Sequence, residues 1–187
     1  MNDAGKEWKI VKENSLKISA IYSSLPLVSK IAPVLVNRGI DTVEKSKIFI
    51  NGGIENLHNP FLFADMQKAV DRIRRAIDLD ETILVYGDRD VDGVTAVNII
   101  VNTIRLLGGN VQWYVPADEG YGVHKDILSK YLSENVKVLI TVDCGISAVE
   151  EISYAKTLGM DVILTDHHEP PYCLPNADAI INPKIYG

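Results

Sequence analysis

The chain of 187 residues is 47% apolar and 24% charged, a composition typical of a globular protein with one domain and a small addition. No apolar run reaches the ~20 residues that a membrane-spanning helix needs, and the first residues lack the pattern of a signal peptide. The two cysteines, Cys144 and Cys173, are too few for a disulfide framework, so we expect a cytoplasmic protein with no membrane contact.

The net charge of −6 is unevenly distributed along the sequence. Residues 1–80 contain 12 Lys and Arg against 10 Asp and Glu, whereas residues 81–187 contain seven against 15. Such an acidic second part argues against nucleic acid as a partner on bulk charge alone. Bound metal ions would offset part of this negative charge.

Residues 1–80 are predicted to form a helical N-terminal flank. Their patterns favour a helix over Leu27–Val36, a short helix over Thr42–Ile50 with Asp41 as its N-cap, and an amphipathic helix over Asp65–Leu79. The basic side chains of the last helix either form a solvated face or face phosphate groups, and both interpretations stay open.

Residues 81–187 alternate short apolar runs with helical patterns and are predicted to form an α/β domain. The predicted elements are, in chain order, strand Ile83–Tyr86, helix Val94–Leu107, strand Val111–Val115, helix Lys125–Ser133, strand Val138–Val142, helix Ala148–Leu158, strand Val162–Thr165 and strand Ala179–Ile181. Apolar strands separated by single helices indicate a Rossmann-like parallel sheet with helices on both faces.

Side chains that bind metals follow three of these strands. They are Asp88, Asp90 and Asp92 after the first strand, Asp143 after the third, and Asp166, His167 and His168 after the fourth. Ligands of open parallel sheets bind beyond the carboxyl ends of the strands, so we expect these side chains to meet at one edge. Carboxylates ~4 Å apart repel by about 4 kcal/mol at an effective dielectric of ~20. Such a cluster indicates a bound cation or a carboxyl group that keeps its proton.

The mixture of Asp and His suits Mn²⁺ or Mg²⁺ better than structural zinc, which prefers thiolate ligands. The number of ligands indicates two ions about 3.5–4 Å apart that share one carboxylate. Such a pair activates water and stabilises both oxygens of a phosphoryl displacement. The reaction class that the residues indicate is therefore phosphoester hydrolysis.

The acid cluster after the first strand has two other interpretations. An EF-hand loop that begins at Asp88 would place Ile99 where that loop requires a glutamate. The segment 90–94 also resembles the aspartyl-phosphate pocket of haloacid-dehalogenase-like phosphatases, but that family has no role for a histidine pair after a later strand. Neither alternative explains all three ligand-bearing strands.

The remaining candidates also have structural interpretations. Asp143 could cap the helix that follows it, and the two histidines could be ordinary turn residues. Cys144 has no evident base beside it and is expected to be a small buried residue. Gly120, Tyr121 and Gly122 follow the second strand, where a substrate contact and a plain turn are equally consistent with the sequence.

Several motifs of the chain resemble the DHH phosphoesterases, in particular their RecJ-like branch of single-strand-specific DNA exonucleases. The site motifs are GDRDVDG, VDCG and TDHH. Further similar motifs are NRGI at 37–40, NPF at 59–61, DM at 65–66, EGYG at 119–122 and INPK at 181–184. The resemblance extends over most of residues 8–187 and implies 5′ to 3′ hydrolysis of single-stranded DNA in repair and recombination, with two Mn²⁺ or Mg²⁺ ions.

The resemblance also implies roles for individual residues. Asp88, Asp90 and Asp92 would be metal ligands together with His167, and Asp143 would bridge the two ions. His168 would contact the scissile phosphate, and Asp166 would orient the neighbouring imidazole. From their positions beside the site, and not from the resemblance, we take Arg89, Gly120, Tyr121 and Gly122 as candidate substrate contacts. Single-strand-binding proteins or helicases would be possible partners.

The chain departs from the family pattern in three places. Arg89 occupies a position where the family usually has tyrosine, and it either pairs with an acid or reaches a phosphate. The segment 116–120 is short and lacks the usual arginine. The sequence ends at Gly187, before a later metal-binding aspartate and a second domain, so we expect an N-terminal fragment. Two other functions stay open, namely a DHH phosphodiesterase for short oligonucleotides or cyclic dinucleotides and a non-catalytic scaffold that binds metal or DNA.

Overall fold

The computed structural model describes residues 14–25 and 30–185. Contacts within the chain divide it into two compact units, with the division between His58 and Asn59. The domain boundary at residue 80 that the sequence suggests stays a prediction.

The described residues of the first unit form three short helices. They are α1 at Ser15–Ser24, α2 at Ala32–Asn37 and α3 at Val43–Asn51, followed by a single 3₁₀ turn at Ile54–Asn56. Helix α1 contacts both of the others, and the side chains of Ile21 and Leu35 are buried. The helical character predicted for this region is therefore present in its described residues.

Helix α3 begins one residue later than predicted because Thr42 is its N-cap. The Thr42 hydroxyl accepts a hydrogen bond from the Lys45 backbone N–H at 3.2 Å. Asp41, the predicted N-cap, instead forms ion pairs with the ammonium groups of Lys17 and Lys45. A carboxylate with two cationic neighbours gains more from them than from one backbone donor.

Helix α2 is shorter than the helix predicted over Leu27–Val36. Residues 26–29 lie outside the described part of the chain, and the described helix begins at Ala32. Pro33 stands in the first turn of α2, where its missing N–H would have had no intrahelical acceptor.

The second unit alternates strands and helices as the sequence predicts. Its elements are a 3₁₀ turn at Pro60–Leu62, α4 at Met66–Asp78, β1 at Thr82–Gly87, α5 at Val91–Leu106, β2 at Val111–Tyr114, α6 at Lys125–Leu132, β3 at Val136–Val142, α7 at Val149–Thr157, β4 at Asp161–Thr165 and β5 at Ala179–Ile181. Within the described ranges, no helix is long and apolar enough to cross a membrane.

The five strands form one parallel sheet in the order β2-β1-β3-β4-β5. In the register of the central pair, Val85 lies beside Ile140. The strand order reverses between β1 and β3. From β1 the chain continues to β2 on one side, and from β3 it continues to β4 on the other side. In sheets of this kind the reversal opens a crevice at the carboxyl ends of the strands.

Helices cover both faces of the sheet, which confirms the predicted α/β class. Successive strand residues point to opposite faces. Ile83 and Val85 pack in one apolar cluster with buried residues of α4 and α5, whereas Leu84 and Tyr86 pack in another with residues of α6 and α7. Burial on both faces explains why the strands read as continuous apolar runs.

Helix α5 begins three residues earlier than predicted, and this shift affects the candidate site. Asp90 is the N-cap, and its Oδ1 accepts a hydrogen bond from the Gly93 backbone N–H at 3.0 Å. Asp92 therefore lies in the first turn of the helix rather than in a loop. Gly93 permits this start because a Cβ at that position would lie 2.3 Å from the Asp88 carbonyl oxygen.

Candidate metal centre

The carboxyl ends of β1, β3 and β4 bring the predicted ligands together at one edge of the sheet. Asp88 and Asp90 follow β1, Asp143 follows β3, and His167 and His168 follow β4. Two groups of these side chains have ligand atoms within 4.8 Å of one another. Parallel strands end at the same edge, so residues far apart in the sequence become neighbours.

The first group consists of Asp88, Asp90 and Asp143. Asp88 is 5% exposed and Asp143 is 9% exposed. Asp88 Oδ1 and Asp143 Oδ2 are buried, and neither has a hydrogen-bond partner among the described residues. A buried carboxylate oxygen without a partner is costly, and a coordinated cation would remove that cost.

The second group consists of Asp143, His167 and His168. His167 Nε2 lies 2.9 Å from Asp143 Oδ1. Asp143 thus belongs to both groups, with one oxygen beside an imidazole and the other without a partner. Its backbone has a φ of 60°, a left-handed conformation that Asp tolerates better than most residues.

Asp166 ties the loop after β4 to the loop after β3. Its Oδ1 accepts hydrogen bonds from the backbone N–H groups of His167 at 2.7 Å and His168 at 3.0 Å, and from His168 Nδ1 at 2.7 Å. Its Oδ2 accepts one from the Ile146 backbone N–H at 2.9 Å. An ionised carboxylate only accepts hydrogen bonds, so His168 carries its proton on Nδ1 and leaves Nε2 for another partner.

The electrostatics of these acids differ with their neighbours. Burial, followed by the charge of Asp90, raises the pKa of Asp143 above its ordinary value. The backbone N–H of Gly93 holds the pKa of Asp90 below its ordinary value. Burial acts to raise the pKa of Asp166, but its hydrogen-bond donors outweigh this and lower it. Asp143 thus has one compensating neighbour, His167, which does not outweigh burial and the charge of Asp90.

Asp92 is the predicted ligand that the structure separates from these groups. It lines an open cavity of about 380 Å³ together with Asp143, Asp166 and His167. Its place in the first turn of α5 directs it to this cavity wall. Asp92 is therefore close to the other acids but is not in either group of converging ligand atoms.

The segment 120–122 lies beside the histidines. Tyr121 Oη is 3.3 Å from His168 Nδ1, and the two rings meet edge to face with centroids 5.9 Å apart. Burial and then the charge of Asp166 raise the pKa of Tyr121 to about 12. Gly120 and Gly122 have φ values of 96° and 95°, which favour glycine, and the Gly122 carbonyl accepts a hydrogen bond from Tyr86 Oη at 3.1 Å.

Arg89 and Cys144 make simpler contacts. Arg89 donates from Nη1 to the Ala117 carbonyl oxygen at 3.3 Å, and no acid among the described side chains pairs with it. Cys144 is fully buried, with Sγ 3.8 Å from the Tyr86 carbonyl oxygen. Burial, then the charge of Asp166, raises the pKa of the Cys144 thiol, which does not suit a nucleophile.

Sequence reasoning assigned no role to two residues that position the edge. Asn182 is fully buried, and its Nδ2 donates to the His168 carbonyl oxygen at 3.0 Å. Asp65 Oδ2 accepts a hydrogen bond from the Ile180 backbone N–H at 3.0 Å, which fixes the edge strand β5. Both residues belong to motifs shared with the family, DM at 65–66 and INPK at 181–184, and this similarity was the only sign of their importance in the sequence.

Comparisons with known proteins agree with this geometry. The model of the DHH family, N-terminal domain, matches residues 82–186. The chain is 38% identical to the single-stranded-DNA-specific exonuclease RecJ of Bacillus subtilis over 96% of its length, and 30% identical to that of Haemophilus influenzae over 95%. It spans only 23% and 30% of those two proteins.

Two solved structures have the same fold. A structure of exonuclease RecJ bound to manganese is 30% identical, with a TM-score of 0.64 over 69% of this chain and 34% of that one. RecJ from Thermus thermophilus is 23% identical, with a TM-score of 0.66 over 93% of this chain and 24% of that one. With the family model covering more than half of the sequence, the chain belongs to the DHH family.

Proposed function

We propose that this chain is the metal-binding N-terminal part of a RecJ-like exonuclease that hydrolyses phosphodiester bonds of single-stranded DNA from the 5′ end. The observation that carries the proposal is the position of Asp143 in both ligand groups, with its unpartnered Oδ2. The relatives described as single-stranded-DNA-specific exonucleases, and the manganese in a similar structure, support it.

The donor set fits two Mn²⁺ or Mg²⁺ ions. One ion would be held by Asp88, Asp90 and Asp143, and the other by Asp143 and His167. Asp92 lines the same cavity and would be a further ligand. Carboxylate oxygens and imidazole nitrogens are suitable ligands for both metals. When bound, the ions would supply a nucleophilic water and neutralise charge on the phosphate.

The residues around the ligands position the substrate and its protons. Asp166 fixes the ring of His168 through Nδ1, which leaves Nε2 to donate to a phosphate oxygen when the ring is protonated. Tyr121 packs its ring edge against His168 and limits the orientations of the imidazole. Arg89 uses one N–H on the Ala117 carbonyl and keeps further donors for a phosphate.

Mn²⁺ titration of this chain by calorimetry tests the proposal. We expect saturable binding in the wild type, its loss in Asp143→Asn, and no change in Asp78→Asn, which alters an exposed acid at the end of α4. Absence of saturable binding to the wild type would refute the metal assignment. It would leave a non-catalytic scaffold as the function.

Cleavage assays then separate the two enzymatic candidates. We expect Mn²⁺-dependent release of nucleotides from 5′-labelled single strands in preference to duplexes, in a series of increasing strand length. Hydrolysis limited to very short strands or to cyclic dinucleotides would indicate the oligonucleotide phosphodiesterase instead. A cytoplasmic location, and a single-strand-binding protein or a helicase as partner, belong to this proposal; the partners rest on the family resemblance alone.

A further inference from the structure

A groove between helix α5 and strand β2 has no part in the proposed chemistry. Its volume is about 260 Å³, and its walls include Val94, Asn98, Asn102, Arg105 and Trp113. Among the described strands β2 pairs only with β1, so the groove lies at a free edge of the sheet. The chemistry of its walls is a combination of aromatic, amide and cationic groups.

Trp113 provides a flat aromatic surface in this groove. Val111, Trp113 and Val115 are two residues apart, so their side chains lie on the same face of the sheet. Val111 and Val115 pack on the apolar cluster that contains α5, so Trp113 is on the face that α5 covers. The indole is 54% exposed although it stands beside apolar side chains. An exposed indole of this kind is a stacking surface for a nucleobase, and every base has a face that suits it.

Asn98 and Asn102 provide hydrogen-bonding groups one helical turn apart. Asn102 Nδ2 donates to Asn98 Oδ1 at 2.9 Å. This bond leaves the Asn98 Nδ2 group as a donor and Asn102 Oδ1 as an acceptor toward the groove. A neighbouring donor and acceptor complement the polar edge of a base.

The charge of the groove is opposite to that of the surrounding domain. Arg105 is the one charged residue among the described residues that line it, and no acid in the described chain pairs with this guanidinium. Residues 93–117 contain no Asp or Glu, although residues 81–187 contain 15. A phosphate would therefore find one cation here and no nearby acid along the chain segment that forms the walls.

One end of the groove lies at the same edge of the sheet as the candidate metal centre. Val94 lies two residues after Asp92 in the first turns of α5, and Val115 directly follows β2, so this end of the groove is at the carboxyl edge of the sheet. From Val94 to Arg105 the helix rises by roughly 16 Å. The groove can therefore accept the part of a strand that lies away from the reacting phosphate.

We propose that this groove binds an unpaired nucleobase of the single-stranded substrate. The base stacks on Trp113, its polar edge meets the free amide groups of Asn98 and Asn102, and a phosphate of the same strand pairs with Arg105. This inference rests on the proposed function, because it extends the path of the strand from the metal centre. A second protein chain is the alternative occupant of the groove.

Tryptophan fluorescence tests the inference without hydrolysis. The chain has two tryptophans, so Trp8→Phe leaves Trp113 as the sole tryptophan. Titration with oligothymidylate in EDTA should quench its fluorescence, with the same dissociation constant that the anisotropy of a labelled strand gives. Binding of the labelled strand without quenching, or no binding of the strand at all, would overturn the inference.

Variants locate the contacts. Trp113→Ala should weaken strand binding by about 5- to 100-fold, whereas Trp113→Phe should retain most of the affinity because it keeps an aromatic face. Arg105→Gln should reduce the salt dependence by about one released ion, and Lys130→Gln, an exposed cation on α6, should leave it unchanged. Equal affinity of Trp113→Ala and the wild type would refute the stacking role.

Two further measurements distinguish a failure of the groove inference from a failure of the proposed metal centre. Mn²⁺ affinity of Trp113→Ala should equal that of the wild type, so a chain that binds Mn²⁺ but not oligothymidylate contradicts the groove and not the metal centre. Sedimentation that shows self-association of the wild type, abolished in Trp113→Ala, would assign the groove to a second protein chain and overturn the inference.

Discussion

The two edges of the sheet both concentrate acidic side chains, but they compensate them differently. At the amino edge, Arg72 pairs with Glu81 at 2.7 Å and with Asp161 at 2.6 Å. Lys156 pairs with Asp178 at 2.6 Å and with Asp161 at 3.4 Å. At the carboxyl edge, no described Lys or Arg pairs with the candidate ligands Asp88, Asp90 and Asp143, and the partners seen are an imidazole and a backbone N–H group. Glu169, later in the loop after β4, does pair with Lys184.

This difference distinguishes the acids of the amino edge, which form ion pairs within the protein, from the acids of the carboxyl edge, which are candidate metal ligands. The amino-edge network supplies its own cations, so each of its carboxylates lies beside at least one Arg or Lys. Glu81 Oε2 accepts no hydrogen bond of good geometry, but the Arg72 guanidinium lies beside it. The carboxyl edge leaves Asp88 Oδ1 and Asp143 Oδ2 buried without a partner in the described structure. A count of acids does not distinguish the two edges, whereas the identity of their partners does.

The largest expected effect comes from breaking the amino edge. Arg72→Ala removes a side chain that is 16% exposed, leaves Glu81 partly buried without its cation, and leaves Asp161 with Lys156 alone. We expect the free energy of unfolding to fall by about 3 kcal/mol in urea titrations, with no change in Mn²⁺ affinity.

Arg74→Ala, at an exposed position on the same helix, serves as the control and should change the unfolding free energy by less than about 0.5 kcal/mol. A loss of Mn²⁺ affinity in Arg72→Ala would contradict the independence of the two edges.

The next effect is the stabilisation by metal at the carboxyl edge. At a free Mn²⁺ concentration ~100 times the dissociation constant, a single site raises the free energy of unfolding by about 2.7 kcal/mol. We expect this increase in the wild type and in Arg72→Ala, but not in Asp143→Asn. Urea unfolding with and without Mn²⁺ measures it, and an equal increase in Asp143→Asn would remove that residue from the ligand set.

A smaller effect is expected when Asp166 is altered, since it positions ligands rather than binding metal. Asp166→Asn replaces one of two accepting oxygens with an NH₂ group that only donates, so the loop that carries the ligand His167 loses part of its support. Mn²⁺ affinity measured by calorimetry should fall by about 10- to 100-fold. Unchanged affinity would show that His167 keeps its position without this support.

The smallest effect is the pH dependence of the amino edge. Burial acts to raise the pKa of Asp161, but Arg72 and Lys156 outweigh it and lower it. A lowered pKa in the folded state contributes stability above the unfolded pKa of ~3.9, and this contribution disappears as the pH falls further.

Asp161 is 43% exposed, so we expect its contribution to be below about 1 kcal/mol. Urea unfolding between about pH 5 and about pH 3, a window around the unfolded pKa, should show a shallower loss of stability in Asp161→Asn than in the wild type. An equally steep loss in both proteins would assign the acid sensitivity to other carboxylates.

The sheet and the meeting of the ligands could be predicted because they follow from local patterns and one general rule. Each strand is an apolar run, and parallel strands place their carboxyl ends at one edge. The start of α5 could not be placed from its apolar pattern, because Asp90 caps the helix before that pattern begins. This cap places Asp92 in the first turn of the helix, where it lines the cavity beside the two ligand groups, and its role as a ligand stays a prediction.

Long-range ion pairs were beyond the reach of sequence patterns. The basic face of α4 was consistent with solvent or with phosphate, yet Arg72 pairs with Asp161, which is 89 residues away. Arg89 was expected to meet an acid or a phosphate, and in the structure it contacts the Ala117 carbonyl. Such partners depend on how distant segments pack, which no local spacing encodes.

The four hydrogen bonds accepted by Asp166 have a thermodynamic consequence for ion binding. The bond from Ile146 connects the loops after β3 and β4, and the other three hold the loop after β4, so we expect the backbone to need little ordering when an ion binds. The heat capacity change of Mn²⁺ binding should then be close to zero, since little apolar surface is buried in that step. Association should be limited by the loss of water from the ion and not by refolding of the loops.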